Sequence, residues 1–132
     1  MRRIQYSKGA TQVAIEMKTT YGKIDVDNDV VAQLSGGAAM ECFGVVGMAS
    51  QSQIKDGLAE LLKRENFARG VIVRQASEQV HIDMHIIVSY GTKISEVANN
   101  VQSRVKYTLS QALGLDVTSV NIFVQGVRLT NV

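Results

Sequence analysis

Between Gln79 and Ser89 apolar and polar side chains alternate almost without a break. Val80, Ile82, Met84, Ile86 and Val88 face one way, and His81, Asp83, His85 and Ser89 the other. A period of two is that of extended chain, so the segment reads as a long strand with one buried face. Ile87 is the exception. Such a strand cannot bury its apolar side by itself, and an element with an apolar stripe must lie over it. The chain supplies one further on: Ile94, Val97, Ala98, Val101, Val105, Leu109 and Ala112 recur at a period of 3.6 and predict an amphipathic helix over 93–113. Thr92 is placed to cap it and Glu96 lies in its first turn. Gly114 stands where a left-handed residue relieves the last carbonyls, with Leu115 folding back on the helix.

The remaining elements follow from the same two periods. Val13, Ile15 and Met17 alternate with Ala14, Glu16 and Lys18, Tyr21-Gly22 turns the chain, and Lys23 to Val26 returns it, which predicts a hairpin. Asp27 offers an N-cap, with Asp29 in the first turn, for a helix carrying Val30, Val31, Leu34, Ala38 and Cys42 at helical spacing. Gly36 and Gly37 interrupt that pattern at a cost of up to about 1 kcal/mol each relative to Ala. Close approach of another backbone, the sheet being the candidate, is the preferred reason over a helix break. Gly44–Gly47 then ends the helix, and Ser50 with Gln53 forms a capping box for a second one, with Ile54, Leu58, Leu61 and Leu62 inward and Glu60 paired to Arg64 outside. After an exit over Asn66 to Gly70 come a strand over Gly70 to Arg74, a turn at Ser77-Glu78 and the strand of residues 79–89. A final strand sets Val120, Ile122 and Val124 against Asn121, Phe123 and Gln125. The predicted order is β-β-α-α-β-β-α-β: an α+β single-domain sandwich, with a mixed or antiparallel sheet and its helices on one face.

Composition bounds the function more than it names it. A chain of 132 residues suits one domain over 12–132, preceded by a flexible N-terminal arm over 1–11. At 45% apolar and 20% charged, with no Pro, it is neither a disordered nor a fibrous chain. Net charge is +2, and Arg2, Arg3 and Lys8 lie in the arm, so the body demands neither nucleic acid nor an anionic membrane as partner. Cys42 is the one cysteine, which excludes an internal disulfide and suits a reducing compartment. The polar run after Arg2-Arg3 is no signal peptide, and no apolar stretch approaches the roughly 20 residues that a membrane-spanning helix needs.

The candidate sites are few. His81, Asp83 and His85 share a strand face, but at about 3.3 Å per residue the two imidazoles stand roughly 13 Å apart, too far for one metal. A hydrated or helix-covered sheet face is the plainer reading. Asp83 between two imidazoles also suggests a pH-sensitive contact. Cys42, near a helix C-terminus and without a neighbouring histidine, reads as a buried thiol. Gly44-Val45-Val46-Gly47, between two predicted helices, imitates the GXXG loop of KH nucleic-acid domains. Its Val-Val centre, with Glu41 before it and no base until Lys55, favours an interhelical turn instead. Asn99, Gln102, Ser103 and Lys106 on the outer helix face, with Gln125 at the adjoining strand end, are rich in amides and modest in charge. That pattern predicts a protein-contact surface. No catalytic set, cofactor site or metal site is legible.

Several longer runs carry a resemblance. Tyr21-Gly-Lys-Ile-Asp-Val, the run from Gly37 to Met48, Ile82-Asp-Met-His-Ile-Ile-Val-Ser-Tyr-Gly, Ile94 to Gln102, and Val120-Asn-Ile-Phe-Val-Gln-Gly-Val occur in colinear order. Over about residues 13 to 130 the chain resembles the alkaline-shock-protein family of Gram-positive bacteria, in particular its short YloU-like branch. The resemblance implies a small, non-enzymatic cytoplasmic protein linked to cell-envelope stress. It also implies protein partners, among them a membrane-anchored one that recruits the protein to the inner face of the membrane, and self-association. No catalytic residue, cofactor or metal comes with it. The expected activity is that of a scaffold or adaptor, with a KH-like RNA-binding module and a small-molecule or acyl-chain binder as alternatives.

Overall fold

The computed structural model describes residues 14–50 and 64–129. The predicted arm over 1–11 lies outside them. So do Gln53, Ile54, Leu58, Glu60, Leu61 and Leu62 of the predicted second helix.

The chain begins as expected. β1 (Ala14–Thr19) and β2 (Gly22–Asp27) form an antiparallel hairpin, in which Ile15 stands opposite Val26 and Met17 opposite Ile24. Asp27 then caps α1 (Asn28–Met40): its Oδ1 accepts from the Asp29 amide at 2.8 Å, satisfying one of the orphan donors. The inward arc of α1 differs from the predicted one. Val31, Ala32, Ser35, Gly36, Ala38 and Ala39 are buried, Val30 is exposed, and Cys42 falls beyond the helix end. Small residues are needed because α1 meets backbone there. A Cβ at Gly36 would lie 3.0 Å from Phe67 Cβ and 3.3 Å from its carbonyl oxygen. Close packing therefore explains Gly36, and its neighbour is the 3₁₀ turn Arg64–Gly70 rather than the sheet.

The larger departure follows. Val45–Met48 is a strand, β3, where the sequence predicted an interhelical turn. It belongs to a second, mixed sheet with β4 (Val71–Ala76), β5 (Gln79–Ser89) and β6 (Ser119–Arg128). β5 is its axis. Along one edge β5 pairs antiparallel with β4 over Gln79 to Met84 and then with β3 over Ile86 to Val88. Along the other it pairs with β6 in parallel, with a register shift that leaves Gln125 as an extra residue between Val124 and Gly126.

The alternating face of β5 forms the core as predicted. Val80, Ile82, Met84, Ile86 and Val88 pack with Val31, Ala38 and Ala39 of α1 and with Val97, Val101, Val105 and Leu109 of α2 (Ile94–Leu113). Both helices lie on this face. Burying each of the Val, Ile, Leu and Met side chains among them contributes about 2 kcal/mol. α2 has Lys93 as its N-cap, and an ammonium cannot accept from the first amides, so there is no side-chain cap; Thr92 lies one residue too early, and its Oγ1 donates back to the Ser89 carbonyl at 2.7 Å. Its end is as predicted: Gly114 takes φ +68°, and the Leu115 amide donates to the Leu109 carbonyl at 3.3 Å. Ile94 and Ala112, at the two ends of the stripe, are exposed. The hairpin is stitched to β4 by one side chain. Gln75 Nε2 donates to the Glu16 carbonyl and Gln75 Oε1 accepts from the Glu16 amide, both at 3.2 Å, so an amide side chain stands in for a strand peptide.

Candidate protein-contact surface

The residues singled out from the sequence separate into two groups. On the face of β5 away from the helices, each polar residue has its own partner. His81 Nδ1 lies 2.7 Å from Ser119 Oγ, supplied by β6. Asp83 receives a forked pair from Arg74, with Nε to Oδ2 at 3.2 Å and Nη2 to Oδ1 at 3.0 Å, and a third bond from Asn121 Nδ2 at 2.9 Å. Burial alone would push the Asp83 carboxyl up. The hydrogen bonds from Arg74 and Asn121 and the nearby positive charge outweigh it and hold the group below the ordinary aspartate range. His85 is buried, its Nδ1 3.4 Å from the Gly70 carbonyl oxygen and its ring stacked on Phe123 at 5.0 Å. Ile87 is also fully buried on this side. The predicted hydrated face thus holds around His81 and Asp83 but closes around His85 and Ile87. The three residues do not converge, and Asp83 is engaged by Arg74 and Asn121. Among the described residues no group of three or more His, Cys, Asp or Glu could hold a metal ion.

The Gly44–Gly47 tetrapeptide does not form an interhelical loop. Gly44 is a turn residue with φ +93°, its carbonyl accepting from the Ser89 amide at 2.8 Å, and Val45 to Gly47 run along β5. Strand pairing spends the backbone that a KH loop would present to phosphates.

The outer face of α2 is where exposed groups gather. Asn99, Ser103 and Lys106 are exposed, as predicted. Gln102 is not an outward residue. It is half-buried, and its Nε2 donates to the Val120 carbonyl at 2.9 Å, so it ties α2 to β6. Gln125 is half-buried at the β6 bulge, away from that cluster in sequence and role. Between the outer face and the corner that joins α1 to β3 lies an open groove of about 420 Å³, walled by Glu41, Cys42 and Phe43 on one side and by Asn100, Ser103, Arg104 and Tyr107 on the other. Arg104 Nη2 donates to Glu41 Oε1 at 2.9 Å across it, and this bond raises the pKa of a guanidinium that is charged in any case. Phe43 is 83% exposed and Tyr107 61%. Cys42 Sγ donates to the Ala38 carbonyl at 3.6 Å. Burial pushes its pKa up more than Arg104 pulls it down, so it remains a thiol rather than a nucleophilic thiolate, half-buried instead of fully so.

The sequence locates Ser103 but not the opposite wall. One signal is there: Tyr107 is an aromatic residue off the apolar stripe of a long amphipathic helix. Phe43 offers none, because a helix extended through Cys42 conceals the corner.

This arrangement suits recognition more than bond-making. Exposed aromatic rings beside an arginine are the side chains that dominate binding energy at protein interfaces. Among the described residues no helix is long and apolar enough to cross a membrane.

No solved structure matches the chain. Among curated proteins it is 66% identical over 119 residues to the "uncharacterized protein YloU" of Bacillus subtilis, covering 90% of this chain and 99% of that protein. It is 44% identical over 117 residues to the "uncharacterized protein Spy1614" of Streptococcus pyogenes, covering 89% and 97%. Over 110 residues it is 30% identical to the "uncharacterized protein YqhY" of B. subtilis, covering 83% and 80%. The model of the alkaline-shock-protein family, described as having a cell envelope-related function, matches residues 16–129, and the chain belongs to that family.

Proposed function

We propose that the protein is a non-enzymatic adaptor of cell-envelope homeostasis, and that it works by binding a protein partner in the groove between the α1–β3 corner and the outer face of α2. The observation that carries this reading is the pairing of two exposed rings, Phe43 and Tyr107, around the Glu41–Arg104 ion pair. A partner segment that covers the rings would desolvate that pair, and an acidic side chain on the partner would take over the free donors of Arg104. In this reading the protein is cytoplasmic and held at the inner membrane face through a membrane-anchored partner; what supports it is the cell envelope-related function of the family.

The test is affinity capture at native expression with the wild-type chain and a Phe43→Ala/Tyr107→Ala variant. Truncating two hot-spot aromatics should weaken a specific partner by about 30-fold or more. Both side chains are exposed, so the melting temperature should stay within about 2 °C of wild type. An identical set of captured membrane proteins at equal yield would refute the groove as the working surface.

A further inference from the structure

The chemistry of the groove walls narrows what a partner can present there; the inference rests on the groove being the partner site. On α2 the wall is Asn100, Ser103, Arg104 and Tyr107, which share one face of the helix. At about 1.5 Å per residue Tyr107 stands about 10 Å along the axis from Asn100. Phe43 enters the opposite wall nearer the Asn100 end. A Cβ on Gly44 would meet Val97 Cγ2 at 2.6 Å, and Glu41 reaches Arg104, so Phe43 lies between those two levels. The exposed rings thus flank the groove toward its two ends, on the order of 10 Å apart. Between them the lining is polar. Among the described residues the side chains of Asn100, Ser103 and Tyr107 make no hydrogen bond, and the bond to Glu41 uses Nη2 of Arg104 alone. Each of these groups can donate.

The geometry points to a proline-rich segment in the polyproline II conformation, carrying an acidic residue, as the occupant. A backbone in that conformation makes no internal hydrogen bonds, and residues three apart fall on one side, about 9 Å from each other. Two prolines in a Pro-x-x-Pro spacing would meet Phe43 and Tyr107 together, while carbonyls between them accept from Asn100, Ser103 and Arg104. Proline has no amide N–H, so the segment brings few donors into a groove whose one carboxylate, that of Glu41, is already engaged. A helix would arrive with its carbonyls bonded within itself, leaving the donors of the wall covered and unpaired. It also needs an apolar channel, where the groove offers two rings and a thiol. An added strand needs an open sheet edge, and the walls are a helix and a corner. Charge selects the acidic residue. Glu41 offsets Arg104, and Glu96, one turn before Asn100, is paired with Lys93 at 3.9 Å. Lys106, one turn from Ser103 and exposed, has no ion pair among the described residues, which leaves the rim positive.

The experiment is a titration of the isotope-labelled full chain with the peptide acetyl-Ala-Pro-Pro-Asp-Pro-Pro-Ala-amide, followed by amide NMR. The expected result is a saturable shift of the Asn100 side-chain amide and of the Ser103 and Arg104 backbone amides. Phe43→Ala and Tyr107→Ala should each weaken binding by about ten-fold or more, as should replacing every proline of the peptide with Ala. Lys106→Glu should weaken it by about three-fold, and a peptide with Lys in place of Asp should bind that variant better than wild type. No saturable shift up to about 5 mM peptide, shifts that map away from the groove, or an equally tight alanine-rich helical peptide would overturn the proposal. If the proline peptide fails while Phe43→Ala/Tyr107→Ala still loses its captured partners, the proposal falls and the groove stands as a protein site; if capture is unchanged as well, both fall.

Discussion

Gly36 and Gly37 are neighbours in the same helix, yet replacing each with Ala should move stability in opposite directions. The intrinsic gain is the same for both: Ala is favoured over Gly in a helix interior by about 0.8–1 kcal/mol. At Gly37 none of the described residues comes within 4 Å of the new Cβ, so the gain should appear almost whole and stabilise the fold by about 0.5–1 kcal/mol. At Gly36 the new carbon would sit 3.0 Å from Phe67 Cβ and 3.3 Å from the Phe67 carbonyl oxygen, where ordinary carbon contacts are about 3.5–4.0 Å. Neither atom is the tip of a flexible side chain, so the 3₁₀ turn or α1 must move. Overpacking of that kind costs about 1–3 kcal/mol and outweighs the helical gain, leaving a net loss of about 1 kcal/mol. Urea denaturation of the two variants beside wild type reads the difference directly, as midpoints on opposite sides of the wild-type value with the slope unchanged. Two variants stabilised to the same degree would show that α1 and the 3₁₀ turn are not in backbone contact at Gly36, and would remove the packing account of that residue.

Two further substitutions test the site and its supports. Gly44→Ala combines a left-handed φ of +93° with a Cβ 2.6 Å from Val97 Cγ2, so it should destabilise by about 2–4 kcal/mol and lower the urea midpoint further than Gly36→Ala does. Asp83 has a folded-state pKa below its unfolded one, so its contribution is fully present above the unfolded value and disappears as pH falls through the folded one; Asp83→Asn should cost about 1–2 kcal/mol at neutral pH, with the gap to wild type narrowing only in acid, as measured by denaturation at stepped pH.

Much of the fold was legible because strand and helix periods are local properties. The face of β5, the stripe of α2, the Asp27 cap and the Gly114 stop all follow from residues a few positions apart, and each is where the sequence placed it. β3 was not legible, and the reason is physical. Val45 to Met48 is too short for alternation to declare itself, and its strand state is imposed by pairing with Val88 and Ile86, about forty residues away. The same long-range pairing converts Gly44 from a loop glycine into a turn held by the Ser89 amide. Gln102 fails for a related reason: its position on the helix is outward-going, but the Val120 carbonyl lies within reach and recruits it. Sequence showed the elements whose period is long enough to declare itself, while the contact surface depends on how α1 and α2 meet, which no local pattern records.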